Sequence, residues 1–193
     1  MKNVSILVAS SVFAISSASA ASFTIYTDRT SFESALSNIQ VEDFDDGSVD
    51  APVFVTSTVG TVANGRWEDQ VSDSPTEETS WSFGAPIVAF GGDWDLDGPS
   101  GPGTGIQVTA FFEGGGFEVL ADEIPRDLAN EFWGFITDMP LVNVLLQEGT
   151  QVPGLETYHL DNLTYSPIPV PAAAPLMLAG LGALGLRRRH QPK

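Results

Sequence analysis

The chain has 193 residues, no cysteine, and 25 acidic residues against eight basic ones, which gives a formal net charge of −17. This charge disfavours nucleic acid and anionic membrane surfaces as partners, because both attract lysine- and arginine-rich proteins. The absence of cysteine excludes disulfides, thiol catalysis and cysteine-bound zinc.

The first 20 residues are typical of a secretory signal peptide. Lys2 precedes a mostly apolar run from Val4 to Ile15, and Ala18-Ser19-Ala20 fits the rule of small residues at the cleavage site. We therefore predict that residues 1–20 are a signal peptide cut after Ala20, and that the protein is exported.

Residues 21–166 have the length of one domain that buries a core of its own. All 25 acidic residues lie in this part of the chain, against three arginines, Arg29, Arg66 and Arg126, so it carries a formal charge of −22. Two interpretations stay open: the acids keep an extracellular protein soluble, or some of them bind divalent cations.

Short alternating or β-branched segments, separated by Gly, Pro and Asp clusters, predict about nine strands. Asp28 is placed to cap a short helix that ends near Ser37. Two stretches, Gly65 to Thr79 and Gly91 to Gly105, are predicted as loops. The predicted strands are residues 22–27, 39–44, 53–62, 86–90, 106–113, 116–121, 132–137, 142–147 and 158–165. This pattern is that of an all-β sandwich of antiparallel strands.

The last segment, residues 167–193, joins a proline motif, an apolar stretch and a basic end. Residues 170–186 are 17 uncharged positions, at the lower limit of roughly 17 residues for spanning a bilayer. Arginines that follow such a stretch stay on the cytoplasmic side. The motif residues are Pro169, Val170, Pro171 and Ala172, and the basic residues are Arg187, Arg188 and Arg189.

This tail resembles the VPLPA variant of the PEP-CTERM sorting signal of Gram-negative bacteria. It departs from that motif at Ile168, where Val is usual, and at Val170, where Leu is usual. The resemblance implies that an exosortase, a membrane protease-transpeptidase, cleaves near the proline motif. It implies an inner-membrane anchor before processing, and then a place at the cell surface, in the outer membrane or in the extracellular matrix. The alternative is a plain C-terminal anchor.

Several landmarks of the domain resemble a jelly-roll sandwich that is common among PEP-CTERM proteins and similar to carbohydrate-binding modules. The resemblance implies a jelly-roll-like fold with one short N-terminal helix, associated with polysaccharide. The landmarks are residues 26–32, 41–44, 88–94, 132–138 and 159–165.

Asp93, Asp95 and Asp97, followed by Gly98, match the opening of a calcium loop. Carboxylates at positions one, three and five and a glycine at six supply oxygen ligands and a sharp turn. Position twelve is Thr104 instead of the bidentate Glu of an EF-hand, and no helix is predicted after it, which argues against a true EF-hand. A structural Ca²⁺ loop and a solvated turn stay open as alternatives.

A second acidic group follows from the resemblance to carbohydrate-binding modules. In such sandwiches an aspartate of the final strand completes a cation site with acids of an early strand. That similarity implies a site made of Asp161 with Glu42, Asp43 and their neighbours Asp45 and Asp46. The alternative is that Asp161 makes hydrogen bonds within its own strand.

Four tryptophans are candidates for packing or for sugar stacking. Trp67 and Trp94 fall in predicted loops, so we expect them to contact glycans, with packing over the loops as the alternative. Trp81 and Trp133 have apolar neighbours and are predicted to lie in the core.

No catalytic residue is assigned. His159 is the one histidine of the predicted domain and falls in a strand, and no Gly-x-Ser-x-Gly motif is present. The sequence therefore predicts an exported, non-catalytic matrix protein that associates with extracellular polysaccharide and holds structural calcium. Two alternatives stay open: a glycan-cleaving enzyme with paired carboxylates, and a structural surface protein that self-associates.

Overall fold

The structure, a computed structural model, describes residues 20–74 and 76–168. Nearly all of the predicted signal peptide and sorting segment lies outside the described residues, including the sorting-motif positions from Pro169 onward. Within the described part, no helix is long and apolar enough to cross a membrane. The elements are β1 Phe23–Tyr26, α1 Arg29–Ser34, β2 Gln40–Glu42, β3 Val53–Thr56, β4 Thr61–Ala63, β5 Arg66–Ser72, β6 Thr79–Asp95, β7 Ile106–Phe112, β8 Phe117–Val119, β9 Ala129–Glu148 and β10 Leu155–Pro167.

The short helix α1 forms where the sequence predicts it. The carboxylate of Asp28 accepts a hydrogen bond from the backbone N–H of Ser31 at 2.8 Å, which satisfies one free donor of the first turn. Phe32 points inward and packs with Ala89 and Phe132. The helix ends at Ser34, one turn earlier than expected.

Two long strands, β6 and β9, connect two layers of antiparallel sheet. Residues 87–95 of β6 pair with β10, and residues 89–95 also pair with the first half of β9. Residues 79–82 pair with β3 and with the second half of β9. The register shifts between Ser82 and Ile87. Strands that bend at such irregularities can pass from one layer of a sandwich into the other.

The first layer has the strand order β4-β5-β10-β6-β9-β1, with β2 paired to β10 as well. The second layer has the order β3-β6-β9-β7-β8. The prediction of an all-β, antiparallel, sandwich-like fold with little helix is thus confirmed. The jelly-roll assignment stays a prediction.

Large aromatic side chains fill the core. Trp81, Trp94 and Trp133 are buried, and the ring centroids of Trp94 and Tyr158 lie 5.7 Å apart. The prediction that Trp81 and Trp133 lie in the core is confirmed. Removal of a buried aromatic side chain of this size typically costs about 3–5 kcal/mol, so this cluster contributes a large share of the stability.

The prediction of a loop from Gly65 to Thr79 is wrong for Arg66–Ser72, which is strand β5. Its inward positions are Trp67, Asp69 and Val71. The carboxylate at the middle position hides the apolar alternation that marks a strand. Asp69 is tolerated inside because it accepts hydrogen bonds from the Trp67 indole at 3.2 Å and from the hydroxyls of Ser57, Thr79 and Tyr158.

The glycines at 91 and 92 belong to β6 and not to a loop, which corrects the second loop prediction. A Cβ at Gly91 would lie 2.9 Å from the Cα of Gly134 on β9, and a Cβ at Gly92 would lie 2.4 Å from Leu160. These glycines therefore allow neighbouring strands and side chains to approach closely. The strands expected at 132–137 and 142–147 are parts of one strand, β9, which is irregular around Pro140.

Candidate functional site

The first predicted calcium ligands lie at the end of β6. Asp93 and Asp95 are on the outer face of the first layer, and Asp97 follows the strand and is exposed. The Asp95 carboxylate accepts the backbone N–H of Gly98 at 2.8 Å and lies 3.5 Å from Nδ1 of His159. Two of the three carboxylates therefore belong to a strand instead of a flexible loop.

Asp93 is paired with an arginine. The Arg29 guanidinium lies 2.9 Å from the Asp93 carboxylate and also donates to the hydroxyl of Thr164 and the carbonyl of Asn162. The same guanidinium lies over the ring of Phe132, 4.8 Å from its centroid. A side-chain cation from α1 thus neutralises this carboxylate.

The second acidic group meets the first across the sheet. Asp161 on β10 lies directly opposite Asp93 on β6. Burial raises the pKa of the Asp161 carboxyl, the backbone N–H of Asn162 opposes that effect, and the charges of Asp93, Asp45 and Asp43 raise the pKa further. The two groups that the sequence treats separately are therefore neighbours on one surface.

Glu42 is close in sequence to these acids but has another environment. It lies on β2, pairs with Leu163 of β10, and is buried. Its carboxylate accepts the backbone N–H groups of Phe44 at 2.9 Å and of Asp50 at 2.5 Å. Glu42 therefore closes the turn after β2.

We call the outer surface formed by Glu68, Asp93, Asp95, His159 and Asp161 the acidic face. His159 lies between Glu68 of β5 and Asp95 of β6, as the strand register requires. Burial lowers the pKa of the His159 imidazole and Arg66 lowers it further, against the two flanking carboxylates, which raise it. Within residues 20–74 and 76–168, no group of three or more acidic or histidine side chains is arranged to hold a metal ion. Calcium binding at these residues stays a prediction.

Trp67 and Trp94 are in strands, and the prediction that they lie in loops is wrong. Trp94 has no exposed surface and donates its indole N–H to the carbonyl of Trp133 at 3.0 Å. Trp67 is 5% exposed and packs edge-on against Trp81. In this conformation neither ring offers a free face to a sugar.

Exposed aromatic side chains occur instead on the outer face of the second layer. The register places five residues of five neighbouring strands in one row across the sheet. Phe54 at one end is 55% exposed, and Phe117 at the other end is 65% exposed. The rings of Phe111 and Phe117 lie 5.7 Å apart. In strand order, the row is Phe54, Ser82, Asn143, Phe111 and Phe117.

A second row lies beside the first, and we call the surface formed by both rows the phenylalanine face. One amide N–H of Asn143 donates to the Ser80 hydroxyl at 2.6 Å and so joins the two rows. The members of the second row are Thr56, Ser80, Leu145, Thr109 and Val119. A shallow depression of about 310 Å³ opens at its end and is lined by Thr56, Ser57, Thr58, Thr76, Glu78, Ser80 and Leu145.

The phenylalanine face combines apolar rings with neutral hydrogen-bonding groups and no charge in either row. Binding surfaces for small and extended ligands typically have this composition, since apolar contact supplies affinity and a few placed polar groups supply orientation. The sequence interpretation missed these residues because it considered only tryptophan. Phe54 and Phe111 stand at outward positions of alternating strands, and that signal identifies them.

Glu156 is a buried carboxylate away from both faces. It has no exposed surface, one oxygen accepts the Gly105 N–H at 2.6 Å, and the other oxygen has no partner among the described residues. Burial raises the pKa of this carboxyl to about 7, against backbone N–H groups and Arg126, which lower it. Glu156 therefore fixes the glycine-rich loop that precedes β7, at a cost in solvation.

Comparison with known proteins finds a distant likeness only. No family model matches the chain, and no curated protein matches it. Among solved structures, a carbohydrate-binding module of family 29 is aligned over 67% of this chain and 88% of its own length, with 10% identity and a TM-score of 0.48. A variant of the module CBM29-2 in complex with mannohexaose is aligned over 67% and 91%, with 11% identity and a TM-score of 0.47.

Proposed function

We propose that this protein is an exported, non-catalytic surface protein that binds extracellular polysaccharide through the phenylalanine face. The observation that supports this proposal is the row from Phe54 to Phe117, with exposed rings at both ends and Asn143 between them. Aromatic rings stack on the apolar faces of sugars, and amides and hydroxyls bond to sugar hydroxyls. We assign the ligand to the glycans because a sugar offers both an apolar face for the aromatic rings and hydroxyls for the amide and hydroxyl groups.

The proposal includes the route by which the protein reaches its ligand. A signal peptide that is cut after Ala20 directs export of the chain, and an exosortase processes the tail near Pro171. The expected result is that protein released from the cell surface has an intact mass without the residues after about Pro171. A mass that still includes Arg187 to Lys193 would leave a plain membrane anchor.

Calcium is part of the proposal as a structural ion at the acidic face. Asp161 supports this role, because the charges of Asp93, Asp45 and Asp43 act on it together. A divalent cation would relieve that repulsion and order the turn after β2. The ion has no part in chemistry on the ligand.

The test is retention of the full chain on the polysaccharide of the producing cells, first with calcium and then with EDTA. We expect retention under both conditions, with lower thermal stability in EDTA. No retention under either condition would overturn the glycan-binding role and favour a structural, self-associating protein. Release of new reducing ends from the polymer would instead support the glycan-cleaving alternative.

A further inference from the structure

We infer that the phenylalanine face binds an uncharged polysaccharide chain that lies across the strands, with Phe54 and Phe117 as its outer contacts. This inference rests on the proposed function and adds the class of ligand and its direction. It follows from the charge of the face, the position of its rings and the arrangement of its amides.

The first argument is the distribution of charge. Neither row of the phenylalanine face contains a charged residue, although the domain carries 25 acidic residues against three arginines. The acid at the end of the second row, Glu78, accepts a hydrogen bond from the Gln147 amide at 2.6 Å. A polymer of uronic acids would meet repulsion from the whole domain without a basic side chain on the face to offset it. A neutral polymer meets no such repulsion.

The second argument is length. The row from Phe54 to Phe117 crosses four inter-strand gaps, which at roughly 4.8 Å each correspond to about 19 Å. Exposed rings stand at both ends of this distance, and the side chains between them are Ser82, Asn143 and Phe111. A single sugar ring touches one end only, whereas an extended chain touches both. The direction of the ligand is therefore along the row and across the strands.

The third argument is that the polar groups of the face are held in place. The side-chain amide of Asn143 donates to the Ser80 hydroxyl at 2.6 Å. An amide has two N–H donors and a carbonyl acceptor. The bond to Ser80 uses one donor of Asn143 and is its one side-chain hydrogen bond within the described residues. The oriented amide presents its other groups between the rings, where sugar hydroxyls of a bound chain lie.

A second copy of this chain is a poor occupant of the same face. Two such domains each carry a formal charge of −22, and close approach brings those charges together. The face itself offers no basic residue that pairs with the acids of a partner copy. A neutral polymer can stack on the exposed rings and needs no charged residue on the face.

The experiment measures the affinity of the full chain for neutral and anionic polymers of matched length. The neutral probes are a galactomannan, a xylan and a mixed-linkage glucan, and the anionic probes are polygalacturonate and alginate. We expect binding to at least one neutral polymer, with less than about a twofold change in Kd between low and high salt, because no ion pair forms. A hexasaccharide of that polymer is expected to bind more tightly than its disaccharide.

Three variants locate the site. Phe54→Ala and Phe117→Ala are each expected to weaken binding by about tenfold or more, because each variant removes one of the two exposed rings that contact the ends of the bound chain. Leu155→Ala is the matched control, because Leu155 is a 45% exposed apolar residue of the first layer. All three side chains are exposed, so thermal unfolding is expected to stay within a few degrees of the parent protein.

The outcomes separate the inference from the proposed function. Preference for an anionic polymer, or neutral binding that both Phe variants leave unchanged, would overturn the inference and leave the glycan-binding function intact. A dimer that Phe117→Ala dissociates would assign the face to a second copy and overturn the inference. Absence of binding to every polymer, including the polysaccharide of the producing cells, would overturn both.

Discussion

The two outer faces of the sandwich differ in whether their side chains are already bonded within the protein. On the acidic face, Asp93 is bonded to Arg29 and Asn162, and Asp95 to Gly98. On the phenylalanine face, the rings of Phe54 and Phe117 are exposed and the row between them is uncharged. The carboxylates of the acidic face, which the sequence makes easy to find, thus already accept hydrogen bonds from other groups of the protein. The rings of the phenylalanine face are harder to find from sequence, and they remain free to contact a ligand.

The two faces keep their positions because hydrogen bonds of a buried carboxylate join the two layers. Asp69 on β5 of the first layer accepts hydrogen bonds from Thr79 on β6 and from Ser57 after β3, in the second layer. Replacement of Asp69 with Ala leaves the Trp67 indole and the Tyr158 hydroxyl without this acceptor. We expect a loss of about 3 kcal/mol in the free energy of unfolding, since buried donors lose their partner. Urea unfolding measures this loss.

The control for that change is Asp73→Ala, which removes an exposed acid of the same segment. It is expected to change stability by less than about 0.5 kcal/mol. Equal losses in the two variants would mean that net charge, rather than the buried bonds, sets the effect. In that case the layers are not joined through Asp69.

A buried carboxylate away from both faces extends this comparison, because Glu156 has no side-chain hydrogen-bond partner among residues 20–74 and 76–168. Its folded pKa is about 7 against an ordinary value of 4.5. The unfolded chain therefore releases this proton first as pH rises. The stability from Glu156 is complete below about pH 4.5 and is lost as pH rises through 7.

The variant Glu156→Gln isolates this effect. The difference in unfolding free energy between the parent protein and the variant is expected to shift by about 2 kcal/mol from pH 5 to pH 8, in favour of the variant. Chemical unfolding at both pH values measures it. A difference that stays constant over this range would show that the carboxyl of Glu156 titrates normally in the folded protein.

Much of the fold is predictable from sequence, because alternation identifies strands such as β7 and the Asp28 cap identifies α1. The prediction fails at β5, where Asp69 occupies an inward position, and at Gly91, where a glycine serves contact between strands. Both depend on partners far away in the chain. The phenylalanine face is missed for the same reason, because Phe54 and Phe117 lie in one row on the same face only through the pairing of five strands.

A variant of Arg29 tests whether this side chain neutralises the carboxylate of Asp93 on the acidic face. Arg29→Gln is expected to lower stability by about 1.5 kcal/mol, because Asp93 would then face Asp161 without a cation. Unfolding at low salt measures the loss, which is expected to shrink in Arg29→Gln/Asp93→Asn. Arg66→Gln is the control, since it breaks one partly exposed ion pair with Glu68, worth less than about 1 kcal/mol.

The smallest effect concerns calcium at the same face. If Ca²⁺ binds near Asp161, calcium at a few times its Kd stabilises the fold by on the order of 1 kcal/mol, through preferential binding to the folded state. The Asp161→Asn variant is expected to lose this gain, whereas Asp122→Asn, at an exposed acid, keeps it. Sodium chloride at equal ionic strength separates binding from screening of the −22 charge. Equal stabilisation by calcium and by sodium chloride would mean that salt only screens the charges of the acidic face and that no ion binds there. The acidic face would then serve solubility, and the phenylalanine face would serve ligand binding.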